Sequence, residues 1–340
     1  MTRWLLTALV ALPLAAALAT PVLPRHRRSL TALTCGAALV VIALVLLGVV
    51  LAFGEISLPL GGWDTPLGIR WRLDRLAALF VFPSAIVGFL VGLFAAGFVT
   101  EHLPDRGAGF WSPFLLLWAA LNGLFLSGDA FNLYVTLELL TLAAITLVTL
   151  ENSTDALEGA MRYLVVALAG STAYLAGVAF LYHDTGTLDL ALAADRSGAG
   201  ALFGLALMSV GLMAKGAFFP LHTWLPPAHA AAPAPGSALL SALVVKGAFY
   251  ILLRLWLELE PAPELARQLA GALGAGAVLW GSVLALRQTR VKLAVAYSTV
   301  AQLGYLLLLF PLATGPWSAT AFAGGIWLAV SHALAKAAMF

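Results

Sequence analysis

Residues 215–254 read KGAFFPLHTWLPPAHAAAPAPGSALLSALVVKGAFYILLR, and this stretch decides how the chain folds. It is almost purely apolar, yet it begins with Lys215 and carries Lys246 in a matching setting, KGAFF and KGAFY. A third cation, Lys336, begins KAAMF at residues 336–340. Because proline lacks a backbone donor and disrupts the preceding turn, we expect a helix to break after Lys215. The prolines that crowd this part are Pro220, Pro226, Pro227, Pro233 and Pro235.

The composition of the whole chain is that of a membrane protein. Of its 340 residues, 62% are hydrophobic and only 10% are charged, and the mean hydropathy of +0.98 is far above that of soluble domains. The apolar runs of about 20 residues are too long and continuous for barrel strands. Since lipid cannot satisfy an open backbone, we predict an all-α bundle of about eleven transmembrane helices. The runs are residues 3–23, 30–53, 73–99, 110–128, 130–150, 158–183, 201–232, 236–257, 265–286, 292–312 and 317–340.

The N-terminal run has two interpretations. Arg3, an apolar core and the Ala-rich end LAAALAT are also features of a secretory signal. The next segment starts directly after RHRR (residues 25–28) and is itself apolar, so a first membrane helix is the simpler interpretation. The basic clusters RHRR and RQTRVK (residues 287–292) favour the cytoplasmic side for their loops. We therefore expect a multi-pass protein of a bacterial-type cell (inner) membrane, with its N-terminus outside.

Charge and cysteine content disfavour several classes of function. A formal net charge of +2 gives no reason to expect a nucleic-acid partner. Cys35 is the single cysteine, so the chain holds no internal disulfide and no cluster bound by four of its own cysteines. Because a Gly-rich dinucleotide signature is also missing, we predict no cofactor, no metal and no catalytic residue. Whether the chain belongs to an enzyme stays open, and any oxidoreductase activity is expected to belong to an assembly.

The apolar run 201–232 is too long for one straight helix. A helix of about 32 residues would extend about 48 Å, against a hydrocarbon core of about 30 Å. We therefore expect a discontinuous helix, which is tolerated at membrane depth only where it packs in protein or lines a wet cavity. This places Lys215 beside a candidate ion path.

Buried charges are the candidate functional groups. Lys215, Lys246 and Lys336 all fall within apolar runs, and each costs about 2.5–3.5 kcal/mol at a helix centre unless it is hydrated or paired. Snorkelling is the alternative near a helix end, but Lys246 lies in the middle of its run. Glu138 is the available counter-charge for Lys215 or Lys246, either as part of a proton path or as a structural ion pair. Burial favours a neutral amine and a nearby carboxylate favours the ammonium, so movement of Glu138 would load or unload a proton.

Three histidines add groups that titrate near neutral pH: His222, His229 and His332. His222 and His229 flank the proline-rich stretch, and His332 precedes Lys336 by one helical turn. Proton relay is the favoured interpretation. A metal or b-type haem ligand pair and plain structural hydrogen bonding are the alternatives.

Four stretches resemble one known family. GDAFNLYVTLELL (residues 128–140), the central stretch 215–254, VKLAVAYSTVAQLGY (residues 291–305) and SHALAKAAMF (residues 331–340) resemble the proton-conducting antiporter-like membrane subunits. That family includes the D subunits of Mrp-type sodium/proton antiporters, the large membrane subunits of complex I (NADH-quinone oxidoreductase) and the membrane subunits of related hydrogenases. The first stretch looks most like the Mrp branch, whereas HTWLPPAH is shared with complex I, so the branch stays open.

The resemblance implies an inverted-repeat fold in which each five-helix repeat contains a broken helix. It divides the chain into N-terminal transmembrane helices at 1–109, a first repeat at 110–257 with its broken helix at 201–232, and a partial second repeat at 265–340. The sequence stops at Phe340 inside an apolar run, which we interpret as a fragment or a shortened protein. Where the family usually has an acidic residue and a Lys-Arg pair before AYS, this chain has Arg290 and Leu293 around Lys292.

The resemblance also implies the roles of the charges. Glu138 corresponds to the fifth-helix glutamate, Lys215 to the lysine of the broken helix, Lys246 to the central lysine and Lys336 to that of the eleventh helix. Protons would pass along a hydrated axis of these groups, gated by Glu138 and Lys215. We expect other membrane subunits of an antiporter or a respiratory or hydrogenase complex as partners, with protons and, as a further candidate, sodium as the ions. An autonomous secondary solute transporter of inverted-repeat type is the alternative.

Overall fold

The computed structural model describes residues 2–104, 107–196, 198–259, 263–314, 316 and 318–340. Within these ranges the chain is helical apart from one small hairpin and the turns. The elements are α1 Thr2–Ala19, α2 Arg25–Phe53, β1 Ile56–Pro59, β2 Arg70–Leu73, α3 Arg75–His102, α4 Trp111–Leu126, α5 Ala130–Val148, α6 Thr154–Thr185, α7 Leu190–Ala194, α8 Ala199–Lys215, α9 Leu225–Ala231, α10 Ala234–Leu239, α11 Val245–Glu258, α12 Glu264–Leu286, α13 Val291–Leu307, α14 Leu309–Leu312 and α15 Ser318–Met339.

The predicted all-α membrane bundle is confirmed. Ten helical stretches within the described ranges are long and apolar enough to cross a bilayer, and the chain is a multi-pass membrane protein. The run 201–232 is the exception, because it is split into the shorter helices α8 and α9. The predicted discontinuous helix is therefore confirmed as well.

The hairpin β1–β2 was not predicted from the sequence. Its antiparallel register pairs Ile56 with Leu73 and Pro59 with Arg70. Trp71 continues the pairing to Ser127 in the turn between α4 and α5. We call this end of the bundle, which holds residues 54–74, 127–130, 185–196 and 198, the hairpin end, and the other the opposite end.

Helices α6 and α8 pack closely because glycines face each other. A Cβ at Gly170 would lie 2.7 Å from the Gly211 carbonyl oxygen, and one at Gly177 would lie 2.5 Å from that of Gly204. Small residues allow helix backbones to approach in a membrane, where packing rather than water drives association. The same approach brings Lys215, at the end of α8, against α6, since a Cβ at Gly170 would also lie 3.3 Å from its Cγ.

The helix Ala234–Glu258, made of α10, a π-helical turn at Leu240–Val244 and α11, forms the centre of the bundle. All residues of its most apolar 18-residue segment are buried within the protein. In the outer helices α2 and α12, only 28% of the corresponding segment is buried. A helix that is buried on all sides lies in a core, so a charge on it cannot reach lipid headgroups by bending outward. This placement removes snorkelling as an explanation for Lys246.

Candidate functional site

The break in the long run begins directly after Lys215. Helix α8 ends when the Gly216 N–H bonds to the Leu212 carbonyl at 2.8 Å, and Ala217 then adopts a left-handed backbone with φ +55°. Trp224 closes the gap by donating its indole N–H to the Ala214 carbonyl at 2.9 Å. A left-handed backbone costs an alanine about 1–2 kcal/mol, so packing of the surrounding residues must stabilise this conformation of Ala217.

Glu138 on α5 pairs with Lys215. The Lys215 ammonium donates to Glu138 Oε1, and it donates a second bond to Thr141 Oγ1 at 3.0 Å. The Ser171 hydroxyl on α6 donates to the same Oε1. The lysine side chain is 2% exposed, whereas that of Glu138 is 21% exposed. The sequence left either Lys215 or Lys246 as the partner of Glu138. In the structure the partner is Lys215.

Lys246 lies one residue after the start of α11, directly behind the π-helical turn. The Val245 N–H bonds to the Leu240 and Leu243 carbonyls rather than to that of Ser241, and the Lys246 ammonium donates to the Ser241 carbonyl at 2.6 Å. The π-bulge thus provides a polar partner inside an apolar helix, as such bulges often do at functional sites. Among the described residues, no carboxylate forms a salt bridge with Lys246.

Lys336 on α15 reaches α13. Its ammonium donates to the Val295 carbonyl at 2.9 Å and to the Ser298 hydroxyl. The Ser298 hydroxyl itself donates to the Val295 carbonyl at 2.8 Å. Since a side-chain hydroxyl and a carbonyl surround the ammonium, its 2% exposure is compatible with the charged form.

Two hydroxyls connect the surroundings of these lysines. Ser241 Oγ, on the residue whose carbonyl binds Lys246, lies 2.8 Å from Thr299 Oγ1. Thr299 Oγ1 lies 3.1 Å from the Val295 carbonyl, which also binds Lys336. A hydroxyl both donates and accepts, so this pair can pass a proton as well as hold one. Sequence reasoning missed both residues, although SALLS and AYST place hydroxyls in otherwise apolar runs.

Two of the predicted histidines join this group. His229 on α9 is fully buried and stacks on Phe340, with ring centroids 4.6 Å apart. His332 is 4% exposed, and neither nitrogen of either ring has a hydrogen-bond partner. Both rings lie within electrostatic range of Lys246 and Lys336. Buried polar groups are normally hydrogen-bonded, so these unbonded rings are candidate proton-carrying groups near the two lysines.

His222 does not join them. It lies inside the break, 7% exposed, with its ring stacked 5.6 Å from that of Phe219 and its Nδ1 unbonded. The described ranges contain no group of three or more His, Cys, Asp or Glu side chains arranged to hold a metal ion.

A cavity of about 180 Å³ lies at the opposite end, between α6 and α9. Asp155, Glu158, Arg162 and Arg290 line it together with Pro227, and Glu158 and Arg162 form an exposed ion pair at 2.5 Å. Lys292 lies at the same end and donates to the Ala232 carbonyl just after α9. A cavity lined by charged side chains is thus present beside the second half of the broken helix.

The fold and the buried charges together define the class of this protein. It is a polytopic membrane protein with a discontinuous helix, a carboxylate–lysine pair at the break, and further lysines in the interior, which are features of ion-translocating membrane proteins. Residues 127–340 match the family model described as NADH:quinone oxidoreductase/Mrp antiporter, transmembrane, and the chain belongs to this family.

Relatives come from both branches of the family. The N subunit of the NADH-quinone oxidoreductase of Desulforudis audaxviator is 35% identical over 82% of this chain and 56% of its own length. The D subunit of the Na(+)/H(+) antiporter of Bacillus subtilis is 34% identical over 88% of this chain and 61% of its own length. The chain therefore spans less than two thirds of these relatives.

Solved structures share the fold. A chain of the membrane-bound sulfane sulfur reductase, an archaeal respiratory membrane complex, superposes with a TM-score of 0.90 at 32% identity, covering 98% of this chain and 69% of that one. A chain of the Mrp complex from Dietzia sp. DQ12-45-1b gives a TM-score of 0.88 at 25% identity, covering 98% and 62%. The antiporter-like fold expected from the sequence is confirmed.

Proposed function

We propose that this chain is a proton-translocating membrane subunit of a multisubunit cation/proton antiporter or of a complex I-like redox-driven proton pump. The observation that carries the proposal is the series of buried titratable groups, from the Glu138–Lys215 pair at the break to Lys246 and Lys336. A buried charge is expensive in a membrane protein, so several of them in one bundle argue for transport rather than for stability.

The Glu138–Lys215 pair acts as the gate. While the carboxylate contacts the ammonium, the proton on Lys215 is held; when the carboxylate moves away, the buried amine releases it. The break after Lys215 supplies the freedom for such a movement, because the last turn of α8 is not continued by a helix. His222, which lies in the break beside Phe219, is the proposed proton-exchanging group on this side of the path.

Lys246, His229, His332 and Lys336 then carry the proton onward. The unbonded nitrogens of the two histidines and the Ser241–Thr299 hydroxyl pair support a hydrated connection between the two lysines. The cavity at the opposite end supplies access from the aqueous phase on that side. No step in this path requires a metal or a cofactor in the chain.

The arrangement in the membrane follows from the same proposal. Residues 110–257 form a first five-helix repeat, with 1–109 as N-terminal helices and 265–340 as part of a second repeat. Other membrane subunits are the partners, supported by relatives and structural neighbours whose names describe subunits or complexes. The cell membrane is the location, and the N-terminus lies outside, supported by the basic clusters at the opposite end.

Proton flux in vesicles that contain the chain, with the partner subunits that copurify, tests the proposal. Lys246→Ala should abolish the flux while the protein still inserts. Arg287→Ala is the matched control, because Arg287 is an exposed cation at the opposite end. Unchanged flux in Lys246→Ala, or uptake of a solute by the purified chain alone, would favour the autonomous transporter instead.

A further inference from the structure

The face of α11 that carries Lys246 continues as a polar stripe to the hairpin end. Tyr250, Arg254 and Glu258 follow at helical spacing, so all four side chains lie along one face. Tyr250 is fully buried and the Arg254 side chain is 5% exposed. The stripe therefore leads from the central lysine towards the aqueous phase on the side opposite to the cavity at Asp155. The proposed function does not use it.

Arg254 bonds to three side chains through its two terminal nitrogens, whereas its Nε and the Oε2 of Glu258 have no hydrogen-bond partner within the described ranges. One guanidinium nitrogen, Nη2, donates to Asp74 Oδ1 at 2.9 Å and to the Tyr250 hydroxyl at 2.6 Å. The other, Nη1, donates to Asp74 Oδ2 and to Glu258 Oε1, the latter at 3.0 Å. Arg72 on β2 donates to the same oxygen of Glu258, which ties the group to the hairpin. Two cations and two carboxylates thus make a network with no net charge.

The Tyr250 hydroxyl is held in a single orientation. It donates to the Phe125 carbonyl at 2.6 Å and accepts from Arg254. A carbonyl only accepts and a guanidinium only donates, so neither partner allows the hydroxyl to turn round. A hydroxyl that relays protons must reverse its bonds after each transfer, and this one cannot. Arg254 itself stays protonated at any physiological pH and has no lone pair to receive a proton.

We infer that Arg254, bonded to Asp74, Glu258 and Tyr250, is a proton barrier towards the hairpin end. It closes that side of the buried polar group around Lys246, which we call the Lys246 chamber and which consists of Lys246, Ser241, His229, His332 and Lys336. A fixed guanidinium excludes protons from a polar path in the same way as the arginines of water-selective pores. With this barrier, protons reach Lys246 from one side of the membrane only. A pump needs such one-sided access, because a path open to both sides would let protons leak back. This inference rests on the proposed function, since it assigns a closed side to the same chamber.

The ionised state of Asp74 agrees with this geometry. Burial, the largest single effect, raises the pKa of this carboxyl, but the hydrogen bond and charge of Arg254, the Ala77 N–H and Arg72 together lower it from 3.8. The anchor of Arg254 is therefore ionised at neutral pH and keeps the guanidinium in place. Removal of the guanidinium would take its bonds from Asp74 and Tyr250 and leave Glu258 paired with Arg72 alone. Carboxylates that can accept a proton would then lie next to Tyr250, which is the composition of a relay.

The test is the passive decay of an imposed pH gradient in vesicles that contain the chain, with the membrane potential clamped. Arg254→Gln should speed the decay at least about tenfold, equivalent to a barrier lowered by about 1.4 kcal/mol. Arg254→Lys, which keeps a donor-only cation, should stay tight. Arg70→Gln is the matched control, because Arg70 forms an ion pair with Asp189 at the same end, 2.7 Å apart, and not with Asp74 or Glu258.

Two further variants distinguish a proton leak that passes through Lys246 from a nonspecific leak caused by a disturbed fold. Adding Lys246→Ala to Arg254→Gln should remove the leak, because the leak enters the chamber of Lys246. Tyr250→Phe should leave the Lys246-dependent flux unchanged. A lower flux in this variant would mean that the stripe conducts protons and would overturn the inference. This test remains available even if Arg254→Gln does not fold. An equal leak in Arg70→Gln would overturn it too.

The two proposals fail in different ways. If the flux of the unmodified chain does not depend on Lys246, the proposed function fails and the barrier falls with it. If that flux depends on Lys246 but Arg254→Gln inserts normally and stays tight, the barrier alone is wrong.

Discussion

Glu138 on α5 and Lys215, the last residue of α8, form an ion pair at the point where the transmembrane path of α8 is interrupted. A buried pair is held by its partner more than by solvent, so removal of one member leaves an uncompensated charge. The pair is therefore both the gate of the proposed path and a measurable contribution to stability. These two roles respond differently to substitution.

Glu138→Gln should lower the proton flux at least about tenfold and destabilise the protein by about 3 kcal/mol, the low end for a buried pair because the carboxylate keeps some exposure. Adding Lys215→Met removes the orphaned charge, so most of the stability should return while the flux stays low. Thermal unfolding in detergent and flux in vesicles measure the two effects. Glu264→Gln is the control, since its exposed pair with Arg267 contributes little to stability. A double variant that regains flux would contradict the gate.

The hydroxyl pair between α13 and the central helix predicts a second effect. Thr299→Val removes the partner of Ser241 Oγ and should slow the flux several-fold, at a stability cost of about 1–3 kcal/mol for the hydroxyl left unsatisfied. Thr299→Ser keeps the hydroxyl and should behave as the unmodified chain. Ser331→Ala, an exposed hydroxyl on α15, controls for loss of a hydroxyl as such. Full flux in Thr299→Val would show that water alone connects the lysines.

Ala217 predicts how the break responds to backbone strain. Its left-handed φ of +55° is unfavourable for a β-branched side chain, so Ala217→Val should destabilise the protein by about 1–3 kcal/mol. Ala217→Gly should be neutral or stabilising by up to about 1 kcal/mol, since glycine adopts this region freely. Unfolding temperatures of both variants in the same detergent check this. The glycine variant should unfold at a higher temperature than the valine variant. A more stable valine variant would contradict the left-handed turn.

Asp74 predicts a pH dependence of stability. Its pKa is lowered from 3.8 in the folded protein, so its pairing with Arg254 stabilises the fold fully above that value and is lost as pH falls through the lowered pKa. Asp74→Asn should therefore be destabilised at neutral pH, and its difference from the unmodified chain should shrink below about pH 4. Unfolding curves over this range measure it, with the exposed Asp155→Asn as control. A difference that grows on acidification would reverse the assigned sign.

The sequence predicts the bundle, the break and the depth of the lysines because these follow from apolar length, proline content and the cost of buried charge. It also restricts the partner of Glu138 to Lys215 or Lys246. It cannot choose between them, since the choice depends on the glycine contact of α6 and α8 that brings the end of α8 to α5. Interhelical geometry of this kind leaves no local pattern.

Other features were out of reach for similar reasons. The π-helical turn before Lys246 is hidden in a run of ordinary helix-compatible residues. The Ser241–Thr299 contact joins residues that are far apart in sequence and individually ordinary in type. Asp74 begins a helix, where a solvated carboxylate is the usual expectation, and only the fold brings Arg254 to it. The β-hairpin lies between α2 and α3, in a stretch whose sequence is typical of a polar connection between helices.

The central claim is that protons cross this chain by way of Lys246. Its most direct test is the rate of proton flux after a pH step in vesicles that contain equal amounts of inserted protein, comparing the unmodified chain, Lys246→Ala and Arg287→Ala. We expect flux in the first and third and only the background of empty vesicles in the second. Flux in Lys246→Ala equal to that of the unmodified chain would contradict it.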